Sequence, residues 1–258
     1  MMALPVAGLA VVRRWTGSPA QPALVGAVAF VGSQVVHVPL NLVVGRFGPP
    51  LPDEVRPWLV PLALGISAGL CEETARWWAL RRNRSAAGAA VTGLGHGGVE
   101  AALLGLAVMV TAVRLLAVGD GTGLPEEAQS QIRAVWTSSD LLALVAVGER
   151  VFAMCAHLAA SMLVGLAVVR RSVWPWLGAL ALHAGLDAGA VALAPSGPVV
   201  TEGFVGGVAL LGLVVVAAVA RVWPADAPSV GRPPPPRDAG SLSRRPLSAA
   251  DAADDGIV

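Results

Sequence analysis

The chain has 258 residues, 55% of them hydrophobic and only 14% charged, and its mean hydropathy is +0.68. Soluble domains carry about 25% charged residues, so this composition excludes an ordinary water-soluble globule and points to the lipid bilayer. A net charge of +1, with no basic face interleaved with aromatics, excludes nucleic acid as a partner on electrostatic grounds.

A membrane span needs about 20 apolar residues. The first run, Leu4–Val12, is shorter than that. Arg13 and Arg14 follow it where a signal peptide would have a small-residue cleavage site, so it reads as a short first span. Six longer runs follow, near 22–44, 58–80, 87–113, 150–169, 173–193 and 203–221. The stretch "LPEEAQSQIRAVW" (124–136) is expected to form a surface helix. The apolar segment 138–148, ending at Gly148, is expected to be a short interfacial or re-entrant piece ahead of the span at 150.

Arg13 and Arg14, then Arg81, Arg82 and Arg84, then Arg170 and Arg171, then Arg221 fall after alternate spans. The positive-inside rule puts all of them in the cytoplasm. The expectation is an all-α polytopic membrane helix bundle over residues 1–222, with seven spans, the N-terminus outside and the C-terminus cytoplasmic. Trp58, Trp77, Trp78, Trp174, Trp176 and Trp223 lie near span ends, as an interfacial belt would. Residues 223–258 are rich in Pro, Ser, Ala and charge, and read as a disordered cytoplasmic tail without a catalytic role. All 18 basic residues are arginine. With abundant Ala, Gly and Val this suggests a GC-rich bacterial coding sequence, hence a bacterial cytoplasmic membrane. Cys71 and Cys155 are isolated and give neither a disulfide framework nor a CxxC metal pair.

Within this oily background "GLCEETARWW" (69–78) places Glu72, Glu73 and Arg76 inside a span. Each unpaired charge at the bilayer centre costs about 2.5–3.5 kcal/mol, so these side chains need partners. The next span carries "GHGGVE", with His96 and Glu100 one turn apart on one face. The span after it carries Arg150 and His157, seven residues apart. The following span carries His183 and Asp187 at i, i+4.

At about 1.5 Å rise per residue, Glu73 lies about 12 Å in from Arg81 and His96 about 18 Å in from Arg84. His157 lies about 20 Å in from Arg170, and His183 about 18 Å in from Arg171. Four spans thus bring carboxylates and imidazoles to similar depth. Imidazoles and carboxylates from several helices are what a catalytic zinc site needs. A nearby carboxylate can serve as general base. Arg76 would hold one glutamate of the pair ionised while the other faces the site.

His96 and Glu100 are read as ligands, as groups that orient ligands, or as packing, and Asp187 as a ligand or an orienting partner. His37, near Gln34 and Asn41, is expected to make interhelical hydrogen bonds. Two small-residue stripes, Gly97–Ala101–Gly105 and Ala181–Gly185–Gly189, are candidate faces for close helix approach.

The order EE-x-x-R, GHGGVE, ER followed by His157, then His-x-x-x-Asp resembles the YhfC family of intramembrane metalloproteases. More distantly it resembles the PrsW and CAAX-protease (CPBP) superfamily. The resemblance covers about residues 22–222 and implies a glutamate-activated, zinc-dependent endopeptidase acting on membrane-embedded or lipidated protein substrates. It implies that Glu72 or Glu73 activates water with Arg76 beside them, and that His157 and His183 are ligands, His96 standing as an alternative first histidine. Asp187 matches the superfamily's polar position. The alternative reading is a proton- or cation-coupled transporter that uses the same buried Glu, His and Asp as ion sites.

Overall fold

The computed structural model describes residues 2–47, 51–119, 123, 125–137 and 140–224. The tail expectation therefore lies almost entirely outside the described residues. Those residues form α1 (Leu4–Thr16), α2 (Gln21–Phe47), α3 (Arg56–Leu80), α4 (Ala86–Val118), α5 (Glu126–Trp136), α6 (Asp140–Arg170), α7 (Trp174–Leu193) and α8 (Pro198–Val222). A 3-10 turn, Ala194–Ser196, joins α7 to α8, and no strand occurs among the described residues.

The helix ends follow from local chemistry. Prolines with preset φ stand at the first turns of α1, α3, α7 and α8. Ser85 caps α4 by accepting from the Gly88 N–H at 3.0 Å. Gly17, with φ 65°, closes α1 in the left-handed conformation.

Five of these helices, α2, α4, α6, α7 and α8, are long and apolar enough to cross a membrane. Their outer faces are greasy: Val35 is 73% exposed, Leu116 68% and Leu210 67%. Such continuous apolar surface belongs in lipid. The charged helix α3 is 25 residues long and packs between α2 and α7, with Glu72, Glu73 and Arg76 turned inward. The 13-residue α1 is about 20 Å long, against a hydrocarbon core of about 30 Å, and packs on α4.

One expectation fails. Segment 138–148 is not a separate interfacial or re-entrant piece: from Asp140 to Arg170 the helix is continuous, 31 residues, about 46 Å. A single glycine costs a helix only about 1 kcal/mol, so α6 runs through Gly148, and Glu149 and Arg150 pair within the helix. The surface-helix expectation for 124–136 agrees with α5.

Helix α6 is the hub, packing on α3, α4, α7 and α8, and two thirds of its spanning window (67%) is buried inside the protein. Glycines allow the closest crossings. A Cβ on Gly26 of α2 would run into the Thr92 carbonyl of α4, and one on Gly95 into the Ala23 backbone. The α3–α7 seam uses Gly65 and Gly69, whose added Cβ atoms would lie 2.9 Å from Ala188 N and from Leu180 Cδ1. The α7 surface at this seam is thus Leu180, Ala184 and Ala188. The expected stripe Ala181–Gly185–Gly189 is not a close-approach face: Ala181 and Gly185 are exposed, and only Gly189 meets a neighbour, the Phe204 ring. On α4 the stripe Gly97–Ala101–Gly105 is buried.

Candidate metal centre

Glu72, Glu73 and Arg76 share the buried side of α3, while Leu62, Ile66, Leu70 and Trp78 form its exposed apolar side. Glu73 and Arg76 are fully buried, and Glu72 is 5% exposed. Arg76, one turn after Glu73, donates Nη1 to Glu73 Oε1. The same Oε1 receives Nδ1 of His183 on α7 at 2.6 Å. Nη2 of Arg76 reaches α6 and donates to Nδ1 of His157 at 2.9 Å. A guanidinium only donates, so Nδ1 of His157 is an acceptor and its ring proton sits on Nε2. That nitrogen donates to Glu100 Oε2 of α4 at 2.5 Å. Glu100 is held from its other oxygen by Arg150 Nη1 at 3.0 Å.

Glu72 has a different set of neighbours. Its Oε2 lies 3.0 Å from Nε2 of His96 and 3.6 Å from Nε2 of His183. Its Oε1 accepts from the Gln34 amide of α2 at 3.1 Å. Behind Gln34 a directed chain continues. His37 Nδ1 meets Gln34 Oε1 at 3.0 Å, Asn41 Nδ2 meets His37 Nε2 at 2.8 Å, and Ser67 Oγ donates to Asn41 Oδ1 at 2.8 Å. His37 does not make the interhelical hydrogen bonds expected of it: both of its partners lie on its own helix α2, and it is Gln34 and Asn41 that reach across to Glu72 and Ser67 of α3. The imidazoles of His96, His157 and His183 follow one another at centroid spacings of 5.3 Å, and Phe30 sets its ring edge-on to His96.

A cavity of about 90 Å³ opens onto this cluster, lined by Glu72, Glu100, Arg150, His157, His183 and Asp187 among others. Glu73 and His96 lie behind its wall. Glu72, His157 and His183 each turn a donor atom to a common point, all within 4.8 Å of one another. Asp187 Oδ2 lies 3.5 Å from His183 Nε2.

Donor atoms bonded to a tetrahedral zinc at about 2.0–2.1 Å lie about 3.3 Å apart. The 3.5 Å between His183 Nε2 and Asp187 Oδ2 matches that spacing, and with His157 and Glu72 offering donor atoms within 4.8 Å of His183 the residues present fit such an ion. His183 also has its other nitrogen bonded to a carboxylate, the usual support of a ligating imidazole.

Three contacts escaped sequence reasoning: Gln34 to Glu72, Arg150 to Glu100, and the Trp176 indole to the Glu73 carbonyl at 3.2 Å. Each joins residues from different helices, and no spacing along the chain encodes it. Trp176 and Trp223 are correspondingly half-buried, the latter bonded to the Arg84 carbonyl, while Trp58, Trp78 and Trp174 are exposed.

A membrane helix bundle with a buried imidazole–carboxylate donor set around a small polar cavity defines a membrane metalloenzyme. The chain belongs to the YhfC intramembrane metalloprotease family, whose model matches residues 1–219. It is accordingly a membrane-embedded peptide hydrolase whose family chemistry depends on a metal ion. No curated protein and no solved structure matches it.

Proposed function

We propose that the protein is a zinc-dependent, glutamate-activated endopeptidase that cuts membrane-embedded or lipidated protein substrates, and that Glu72 is the activating glutamate. The observation that carries this is the convergence of Glu72, His157 and His183 within 4.8 Å beside the cavity. In this reading His157 and His183 hold the ion, with Asp187 the third ligand, while Glu100, Arg76 and Glu73 orient the two imidazoles and His96 orients Glu72. When bound, the zinc lowers the pKa of a water and polarises the scissile carbonyl.

Four carboxylates stand nearest the donors. Glu73 is tied to Arg76 and Glu100 to Arg150. A carboxylate paired with a guanidinium is a weak proton acceptor. Glu72 and Asp187 have no arginine partner among the described residues. Of these two, Glu72 is the more rigidly held, by Gln34 and His96. Its Oε2 would accept the water's proton and later deliver it to the leaving amine. The Nε2–H bond to Glu100 and the Arg76 donor at Nδ1 hold the His157 ring in place, and to hold an ion His157 would give up one of these two contacts.

The wider kinship to PrsW and CAAX-type proteases supports this reading, as does the inward-turned EE-x-x-R helix. The arginine pattern supports seven spans in a bacterial cytoplasmic membrane, with the C-terminus inside; α1 and α3 then complete the count. The test is metal content together with turnover. Glu72→Gln should keep stoichiometric zinc and lose hydrolysis, whereas His157→Ala and His183→Ala should lose zinc. Loss of zinc in Glu72→Gln would make Glu72 a ligand and defeat the assignment.

A further inference from the structure

A second cavity, of about 500 Å³, lies at the arginine-bearing end of the bundle between α3, α6 and α7. Its rim carries Arg81, Arg84 and Arg171, all exposed, with Trp77 and Trp176 between them; its floor is the buried Ala167 and Val168, and exposed Val173 stands at its edge. No acidic side chain lines it, and none of the three arginines has a carboxylate partner among the described residues. Arg81 stacks over Trp77 at 5.0 Å, which holds its guanidinium at the rim.

Arg171 is the one non-glycine residue at positive φ, 52°, among the described residues. It closes α6 at a position where glycine is the usual choice, the Ser172 N–H returning to the Ala167 carbonyl. An L side chain kept in that conformation is strained.

The positive-inside rule explains why arginines sit at this end. It does not require three of them to face one cavity, nor one to accept a left-handed backbone. Arg82, exposed at the same level, is outside the cavity. Directly below the rim, Thr74, Leu70 and Ile66 follow Trp77 along one exposed face of α3. The groove therefore joins a cluster of guanidiniums to an apolar track running toward the membrane interior.

We propose that this groove binds an anionic phospholipid, its phosphate between Arg81, Arg84 and Arg171 and an acyl chain along Thr74, Leu70 and Ile66. Guanidiniums suit phosphate by geometry as well as charge. A free phosphate would use the rim alone and leave the apolar track unexplained. The site is independent of the metal centre and of the protease reading, although Trp176 touches both.

The test uses the full-length protein in detergent, titrated with dioctanoyl phosphatidylglycerol, dioctanoyl phosphatidylcholine or inorganic phosphate. Binding is read by quenching of tryptophan fluorescence and by native mass spectrometry. Wild type should bind phosphatidylglycerol saturably and more tightly than either comparator. The R81Q/R84Q/R171Q variant should bind it at least about tenfold more weakly, since a basic residue near an anionic lipid contributes about a factor of five. The R14Q/R82Q variant, with two exposed arginines removed elsewhere, should bind as wild type does. Should the triple variant fail to fold, R171Q alone should show a loss of about fivefold. Unchanged binding in the groove variants overturns the proposal, as does equal loss in R14Q/R82Q. Inorganic phosphate binding as tightly as the lipid would show a free-anion site instead.

Discussion

A single oxygen of Glu73, Oε1, receives both the Arg76 guanidinium and Nδ1 of His183, whereas the neighbouring Glu72 touches no arginine and faces the cavity. Two adjacent glutamates, about 100° apart on α3, are thus committed to different tasks by what stands opposite them.

Their substitutions should separate accordingly. Glu73→Gln leaves a fully buried guanidinium uncompensated, and breaking a buried pair costs about 3–5 kcal/mol. It should lower Tm in detergent sharply. Glu72→Gln keeps its amide neighbours and breaks no ion pair with arginine, so its Tm should stay near wild type while turnover falls by about 10²–10⁴. Thermal unfolding of both variants against one activity assay checks the contrast.

Zinc affinity should fall with acid. A ligating imidazole must give up its proton, so loading the ion releases protons and becomes less favourable as pH falls. Zinc titration in a weakly buffered solution should show net proton release.

Arg150 acts on His157 through Glu100. Arg150→Gln removes the guanidinium that anchors Glu100 Oε1, and loss of such a supporting partner typically costs 10–100-fold in metal affinity. Competition with a chelator should show that loss with the helical content of the bundle intact.

Gly97 tests the packing behind His157. An added Cβ would sit 2.7 Å from His157 Cδ2, so Gly97→Ala should displace the ring, lower metal affinity and cost about 1–3 kcal/mol. Gly185→Ala meets nothing within 4 Å and should be neutral or stabilising by up to about 1 kcal/mol. Tm measured side by side distinguishes them.

Much of this was legible in the chain itself. The apolar runs mark the long helices because lipid demands continuous apolar surface, and buried charge marks α3 because isolated charge in lipid is so costly. His96, His157 and His183 come together, their successive rings 5.3 Å apart, as counting residues along their spans leads one to expect. What spacing does not encode is which partner a side chain meets across a helix seam. Arg150 pairs with Glu149 along the chain, yet its bond to Glu100 exists only once α4 and α6 are packed. Likewise Gly148 reads as an end because glycine often ends helices, yet α6 runs through it because one glycine is so small a local penalty.

The partners of α3 also impose an order on biogenesis. Glu73 and Arg76 neutralise each other within the helix, but Glu72 acquires His183, and Arg76 acquires His157, only from helices translated more than 70 residues later. When α3 leaves the ribosome it is a poor substrate for the insertion machinery, short of the apolarity its neighbours have. Its set of polar partners is complete only once α6 and α7 are made. The residues that would do the chemistry are therefore also the ones whose partners come late in the chain.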